Sequence, residues 1–254
     1  MPALAAVVIP ARWASTRFPG KPLHLLAGKP LIQHVWERCR RAKGIAEVIV
    51  ATDDMRIAEA AFAFGAEVSL TSLKHRSGTD RCAEVAQRLR GFSHILNVQG
   101  DEPLIDPKLV TRLAEAMKAD RKIAMITAAH PFAKGDEVAN PNLVKVVLDR
   151  HSDALYFSRS VIPNVGRISN PPSPVENPRH FLRHLGIYGY STRFLLEYVK
   201  WKPGALEQAE QLEQLRALEN GAKIRVLLTK AGSIGVDTPA DAQAAENILQ
   251  RASS

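Results

Sequence analysis

Short apolar runs, each followed by residues at helical spacing, constrain this chain more than any other feature. Val7, Val8 and Ile9 form the first run, AEVIVA at 46–51 the second and AEVSL at 66–70 a shorter third. Between the first two, Leu31, Ile32, Val35, Trp36 and Cys39 recur with the period of an amphipathic helix, and Pro30 suits its first turn. Between the second and third, Ile57, Ala58, Ala61 and Phe62 predict another helix, closed by Gly65. This β-α-β rhythm within 65 residues predicts an α/β fold. A length of 254 residues suits one large domain, 1–254, since a chain of that size buries about 70–75% of its unfolded surface.

The first strand empties into PARWASTRFPGKP (10–22), which carries Arg12, Arg17 and Lys21, with Gly20 beside the lysine and prolines at 10, 19 and 22. A strand that opens into a rigid, cationic, glycine-punctuated loop is how α/β proteins hold phosphate, so a nucleoside triphosphate is expected here. Neither familiar nucleotide motif is present. Lys21 is followed by Pro22 rather than Ser or Thr, position 15 is Ser where a P-loop needs Gly, and the first turn lacks the dinucleotide glycines.

Charge agrees with an anionic partner. Thirty-four Lys and Arg against 26 Asp and Glu give +8, and eight of the cations fall before residue 44 against the single acid Glu37. Those at 38–43 fit a solvated helix face, whereas Arg12, Arg17 and Lys21 follow a strand within a loop. RNA-binding surfaces interleave exposed aromatics with Lys and Arg, and the aromatics here, 6% of the chain, sit largely inside apolar patterns. No apolar run approaches the ~18 residues needed to cross a bilayer, and no signal-peptide layout opens the chain, so neither nucleic acid nor membrane is expected as a partner and a cytoplasmic location is. Cys39 and Cys82 lie in helical patterns far from other ligand-type clusters and read as buried thiols.

Further on, KHRSGTDR (74–81) leads into a helix ending near Gly91; Ser77 to Asp80 fit a capping box and equally fit nucleotide contact. HILNV (94–98) reads as a strand that exits through Gln99-Gly100-Asp101-Glu102-Pro103, placing two carboxylates where open sheets bind ligands. A strand-end Asp is a natural Mg²⁺ ligand, and hard cations bound with phosphates use one or two carboxylates; either acid could instead cap the helix from about residue 107. Strands are expected at 123–131, 143–149, 154–158, 181–190 and 223–229, helices at 191–201 and 206–219. The second of these helices carries Glu207, Glu210, Gln211, Glu213, Gln214 and Arg216, read mostly as a solvated face. A proline-rich loop spans 163–180. At the end, Thr238, Pro239 and Asp241 start a helix, which frees Asp237 to be a second metal ligand.

Together IPARWASTRFPGKPL, ATDD, SGTDR, NVQGDEPLI, NPNLVKVV, ALYFSR, FLRHLGIYGY, LEQLRAL and GVDTP, in order from residue 7 to about 245, closely resemble the 3-deoxy-manno-octulosonate cytidylyltransferases, or CMP-Kdo synthetases. That resemblance implies a three-layer Rossmann-like α/β sandwich around a mixed sheet, of the nucleotide-diphosphosugar transferase type. It implies the reaction of CTP with the eight-carbon acid sugar Kdo, giving CMP-Kdo for lipopolysaccharide and pyrophosphate, by an Mg²⁺-dependent homodimer. It assigns Arg12, Ser15, Arg17 and Lys21 to the triphosphate, Pro10 and Ala11 to the nucleoside, and Thr52, Ser77 and Gly78 to the remaining CTP contacts. Gln99, Arg159, His184, Tyr188, Glu213 and Gln214 match the Kdo pocket, Asp101 and Asp237 the metal ligands, and Lys21 with these two acids the catalytic set. Taken alone, a strand histidine such as His184 is usually a structural one. After Ile162-Pro163 the family usually continues with an aromatic and an Arg-Asp pair, where this chain reads Asn164-Val165-Gly166-Arg167. An 8-amino analogue of Kdo is therefore an alternative substrate; a related cytidylyltransferase acting on sialic acid shares the logic of the opening loop, but HLGIYGY and NVQGDEP favour Kdo.

Overall fold

The computed structural model describes residues 4–14, 18–132, 137–164, 181–230, 232 and 235–253. Ser15 and Arg17 of the expected triphosphate loop, and residues 165–180 of the proline-rich loop, lie outside them.

Within the described residues the predicted alternation is present. Strand β1 (Leu4–Ala11) leads through a 3-10 turn at Lys21–Leu23 and a hairpin of β2 (Leu25–Leu26) and β3 (Lys29–Pro30) to α1 (Leu31–Arg40). There follow β4 (Ile45–Thr52), α2 (Met55–Ala63), β5 (Glu67–Leu70), α3 (Gly78–Arg88), β6 (Phe92–Asn97) and α4 (Pro107–Ala119). The chain continues through β7 (Met125–Pro131), β8 (Lys145–Leu148), β9 (Ala154–Ser158) and β10 (Leu182–Ser191) to α5 (Thr192–Tyr198). It closes with α6 (Ala205–Glu210), α7 (Leu215–Glu219), β11 (Ile224–Leu228) and α8 (Pro239–Ser253).

Its contacts divide the chain into two compact units, the first of residues 1–120, 189–199 and 233–254, the second of 121–188 and 200–232. In the first, strands run in the order β6-β1-β4-β5, all parallel. Because β1 has a strand on each side and both faces covered, it reads as an unbroken apolar run rather than an alternating one, and Ala5 to Ile9 are all sealed from solvent. Each such Val or Ile contributes about 1.5–3 kcal/mol of burial. Register sets Ala11 beside Thr52 and Val8 beside Asn97, so the loops leaving β1, β4 and β6 emerge at the same end. In the second unit β7 and β11 pair in parallel while β8 runs antiparallel to β9 and β10. Phe132, Val138 and Phe181 form a small core there against Leu143. Parallel and antiparallel pairs therefore coexist, as a mixed sheet requires.

Several local expectations need correcting. Pro30 is the N-cap of α1 with an extended ψ of 140°, one position before the first turn. Phe62, expected on the inner face of α2, is 78% exposed. The helix expected over 206–219 is two short helices, because Gln211 adopts a left-handed backbone with φ of 53°. That break turns the carbonyls of Glu210 and Gln211 onto the Arg159 guanidinium, at 2.8 and 3.4 Å. Nor is its polar face mainly solvated: Glu207 and Arg216 form a two-pronged ion pair at 2.6 and 2.7 Å with side chains only 12% and 10% exposed. Cys39 and Cys82 are buried and free, and burial pushes the Cys39 thiol far above its usual range. Among the described residues no helix is long and apolar enough to cross a membrane.

Candidate active site

The first unit holds a cleft of about 320 Å³ at the carboxyl ends of β1 and β6. Pro10, Ala11 and Arg12 line it where β1 ends, and Gln99, Gly100 and Asp101 where the chain leaves β6. The 3-10 turn brings in Lys21, and its entry needs Gly20: the backbone there has φ of 71°, and a Cβ would stand 3.0 Å from the Trp13 ring. Ser77 and Gly78 arrive on the N-terminus of α3, and Asp237 on the segment before α8.

At the centre, Lys21 Nζ donates to Asp101 Oδ2 at 2.7 Å and to Asp237 Oδ1 at 3.3 Å. Two acids far apart in the chain are thus gathered on one ammonium, and the Val236 amide donates to the Asp101 carbonyl at 2.8 Å, fixing the two segments together. Neither carboxylate caps a helix. Asp106 caps α4 through the Lys108 amide at 2.9 Å, which removes that role from Asp101 and Glu102. Thr238 and Asp241 form the expected reciprocal cap of α8. The acids remain partly exposed, 32% for Asp101 and 52% for Asp237, and so stay accessible to a ligand.

Ser77 serves both readings of its motif. Its hydroxyl accepts from the Asp80 amide at 3.1 Å and Asp80 returns the bond, a complete capping box, and the residue still lines the cleft. The free amides of a helix N-terminus attract anions, so cap and phosphate contact are compatible at one position. Thr52 does not line the cleft: it is fully buried at the end of β4, where its hydroxyl accepts from the Asp54 amide at 3.2 Å. His75, Arg76 and Arg81 line the cleft as well, although the sequence reading assigned them nothing. Three basic side chains flanking SGTD were the available signal. Glu84 holds the His75 ring through Nε2, while Asp53 and Thr71 hold Arg81. Gly100, also unassigned, packs so closely under β1 that a Cβ would lie 2.8 Å from the Pro10 carbonyl oxygen.

Of the residues matched to the sugar, Gln99 lies in this cleft, its side-chain amide donating to Asn97 at 3.2 Å. Arg159, His184, Tyr188, Glu213 and Gln214 belong to the second unit. There the His184 and Tyr188 rings stand 5.4 Å apart, Phe157 packs edge-on to His184, and His184 Nε2 shares a hydrogen bond with the Thr127 hydroxyl at 3.0 Å. His184 keeps some exposure, yet its surroundings are dense enough to push its pKa down to about 3, so the imidazole is neutral at pH 7. Burial, and then the charge of Glu213, push the Tyr188 phenol well above its usual value. The Gln214 amide nitrogen is buried with no hydrogen-bond partner among the described residues, a position that a polar ligand would satisfy.

A cytidylyltransferase family model matches residues 6–224. The chain belongs to the cytidylyltransferase family. A 3-deoxy-manno-octulosonate cytidylyltransferase of Syntrophobacter fumaroxidans is 50% identical over 244 residues, 95% of either chain. One of Geobacter metallireducens is 50% identical over 237 residues, covering 92% of this chain and 93% of its own. A solved CMP:2-keto-3-deoxy-manno-octonic acid synthetase, complexed with CTP, is 42% identical and superposes with a TM-score of 0.90 over 98% of this cytidylyltransferase and 99% of its own chain. A cytidylyltransferase of Leptospira borgpetersenii, 16% identical with a TM-score of 0.65, shares the fold.

Proposed function

We propose that this cytidylyltransferase activates Kdo, converting CTP and Kdo to CMP-Kdo and pyrophosphate for lipopolysaccharide synthesis. The observation that carries this reading is the Lys21 ammonium between the Asp101 and Asp237 carboxylates in a cationic cleft, in a chain half identical to enzymes of that name. CTP is assigned to the cleft, with Arg12 and Lys21 on its phosphates, Ser77 and Gly78 at the α3 N-terminus, and Pro10 and Ala11 beside the nucleoside.

In the reaction the anomeric oxygen of Kdo forms a bond to the α-phosphorus in line, and the bond from that phosphorus to the β-bridging oxygen breaks. Pyrophosphate leaves with the electron pair, and the hydroxyl proton passes to solvent. Substrates and leaving group are all anionic, so the cations do most of the work: Lys21 and Arg12 draw the triphosphate in and stabilise charge building on the departing pyrophosphate. Arg159 supplies a planar guanidinium for the Kdo carboxylate. Neutral His184 and the un-ionised Tyr188 hydroxyl suit sugar hydroxyls without adding charge.

Mg²⁺ fits the donor set. Asp101 and Asp237 offer only oxygen, and among the described residues no three Asp, Glu, His or Cys side chains stand together, so a metal here takes its remaining ligands from phosphate and water, as hard cations bound with nucleotides do. Asp101 and Asp237 would hold Mg²⁺, which when bound would supply Lewis-acid screening of the phosphate charge and lower the pKa of the attacking hydroxyl. A cytoplasmic homodimer is the form that the family resemblance supports.

The test is pyrophosphate release from CTP, Mg²⁺ and Kdo, run beside sialic acid and 8-amino Kdo. Release with Kdo at the highest kcat/KM is expected. Faster turnover of another sugar moves the substrate assignment, and no release with any of them overturns the reading.

A further inference from the structure

Lys145, the first residue of β8, is 0% exposed. An ammonium taken out of water costs several kcal/mol unless its protons and its charge are answered. Its protons are answered by main chain: Nζ donates to the Asn140 carbonyl at 3.1 Å and to the Arg159 carbonyl. Its charge is answered by Glu210, against the opposing charge of Arg159. Burial draws the Lys145 pKa below its usual value, and the Glu210 charge holds it up.

Glu210 in turn grips the same short stretch of chain. Its carboxylate accepts from the Ser158 hydroxyl at 2.6 Å and the Arg159 amide at 2.9 Å. Both backbone polar groups of Arg159 are therefore clamped, the carbonyl by Lys145 and the amide by Glu210. Its guanidinium is aimed by carbonyls alone: Nε donates to Glu210 O at 2.8 Å, Nη1 to Pro141 O at 2.9 Å and Nη2 to Gln211 O at 3.4 Å. Three of its five N–H groups are thereby fixed on neutral acceptors, and among the described residues the guanidinium forms no side-chain ion pair. An arginine oriented this rigidly, with its charge left uncompensated, is prepared for an anion from outside.

We propose that Lys145 and Glu210 are positioning residues that hold the Arg159 guanidinium ready for the carboxylate of the sugar acid. This rests on the functional reading above. The break at Gln211 then has a purpose, because it delivers the carbonyls that aim Arg159. A purely structural role for the pair predicts something different: variants would melt earlier and lose both substrates alike.

The experiment measures KM for Kdo and KM for CTP separately, with melting temperatures, in Glu210→Gln, Lys145→Met, Arg159→Lys and the double variant of Glu210→Gln with Arg159→Lys. Glu210→Gln is expected to raise KM for Kdo at least tenfold and KM for CTP less than twofold, and the double variant to be no worse than Arg159→Lys alone. Lys145→Met is expected to follow the same split. Should either variant at 145 or 210 fail to fold, Ser158→Ala, which removes one hydrogen bond from Glu210, carries the test with a several-fold rise in KM for Kdo alone. Equal rises for both substrates, an unchanged KM for Kdo, or penalties that multiply in the double variant overturn the inference. Wild-type enzyme that releases no pyrophosphate with Kdo overturns the functional reading, and the inference falls with it; wild-type release with variants unaltered overturns the inference alone.

Discussion

Substituting Gly100 by alanine separates packing beneath the nucleotide cleft from general stability. A Cβ at this position would stand 2.8 Å from the Pro10 carbonyl oxygen and 3.1 Å from Ile32 Cδ1. Carbon and oxygen settle at about 3.3–3.6 Å, so the exit of β1 must move by roughly half an ångström. The backbone at Gly100 is outside the left-handed region, so alanine adopts its conformation without strain and gains about 0.4–1 kcal/mol from a less disordered unfolded chain. Against that, forcing a methyl into a packed site costs about 1–3 kcal/mol. A net loss of about 1–2 kcal/mol lowers the melting temperature of a protein this size by roughly 2–8 °C. The displaced atoms are Pro10 and Ala11, assigned to the nucleoside, and losing about 1.4 kcal/mol of contact there raises KM for CTP about tenfold. KM for Kdo stays within about twofold. Gly65→Ala is the control: its φ of 85° penalises alanine by about 1–2 kcal/mol, while a Cβ there meets only open space. It is expected to melt earlier with both KM values unchanged. If Gly100→Ala loses stability yet binds CTP normally, or if Gly65→Ala weakens CTP to the same degree, the placement of the nucleoside against β1 is wrong.

Four other outcomes follow from the same geometry. Asp101→Asn is expected to abolish turnover while leaving the melting temperature within a few degrees of wild type, and near-normal pyrophosphate release would remove Asp101 from the metal site. Lys21→Ala is expected to lower kcat/KM for CTP by about 10²–10³, the usual loss for one preorganised charge-stabilising donor, with less effect on KM for Kdo. Glu207→Leu breaks the two-pronged ion pair to Arg216, whose side chain is only 10% exposed, so a loss of about 3–5 kcal/mol by urea denaturation is expected. The Ser72 amide, with His75 and Arg88, holds Glu84 below its ordinary 4.5, so its contribution is present above that pH and fades as pH falls through the lowered value. Glu84→Gln should therefore melt earlier than wild type at pH 7, the gap closing below about pH 4.5; a gap that stays constant into acid contradicts this.

Where the determinants are local, the sequence carried them. The buried run at Val7 to Ile9, the helix of Leu31 to Cys39 and the Ser77 capping box are set by residues a few positions apart, and each is present. Asp237 was found by elimination, because Thr238 already filled the cap of α8, and the structure does place it on the ammonium that holds Asp101. What the pattern hid was longer in range. Phe62 fits its helical period, but the inner face of α2 is already filled by Ile57, Ala58 and Ala61, and the ring is left outside.

The acidic stretch at 206–219 shows why composition misleads there. Read alone, Glu207, Glu210, Glu213 and Arg216 are what a solvated helix carries, and helical spacing runs through them without interruption. The continuous helix fails because the neighbouring chain offers its carbonyls and carboxylates better partners than water. Glu207 turns to Arg216, Glu210 turns to Ser158 and the Arg159 amide, and the carbonyls at 210 and 211 leave the helical ladder for the Arg159 side chain. Each partner at 158 and 159 lies some fifty residues away, and ALYFSR gives no sign of it. Lys145 is hidden for the same reason: LVKVVLD gives no sign of the carbonyls at 140 and 159 and the Glu210 charge that make its burial tolerable. The cleft proposed for the nucleotide is legible because strand ends and loop cations lie next to each other in the chain. The residues proposed for the sugar acid are named only by resemblance, since what aims Arg159 is main chain, and main-chain acceptors have no letter in a sequence.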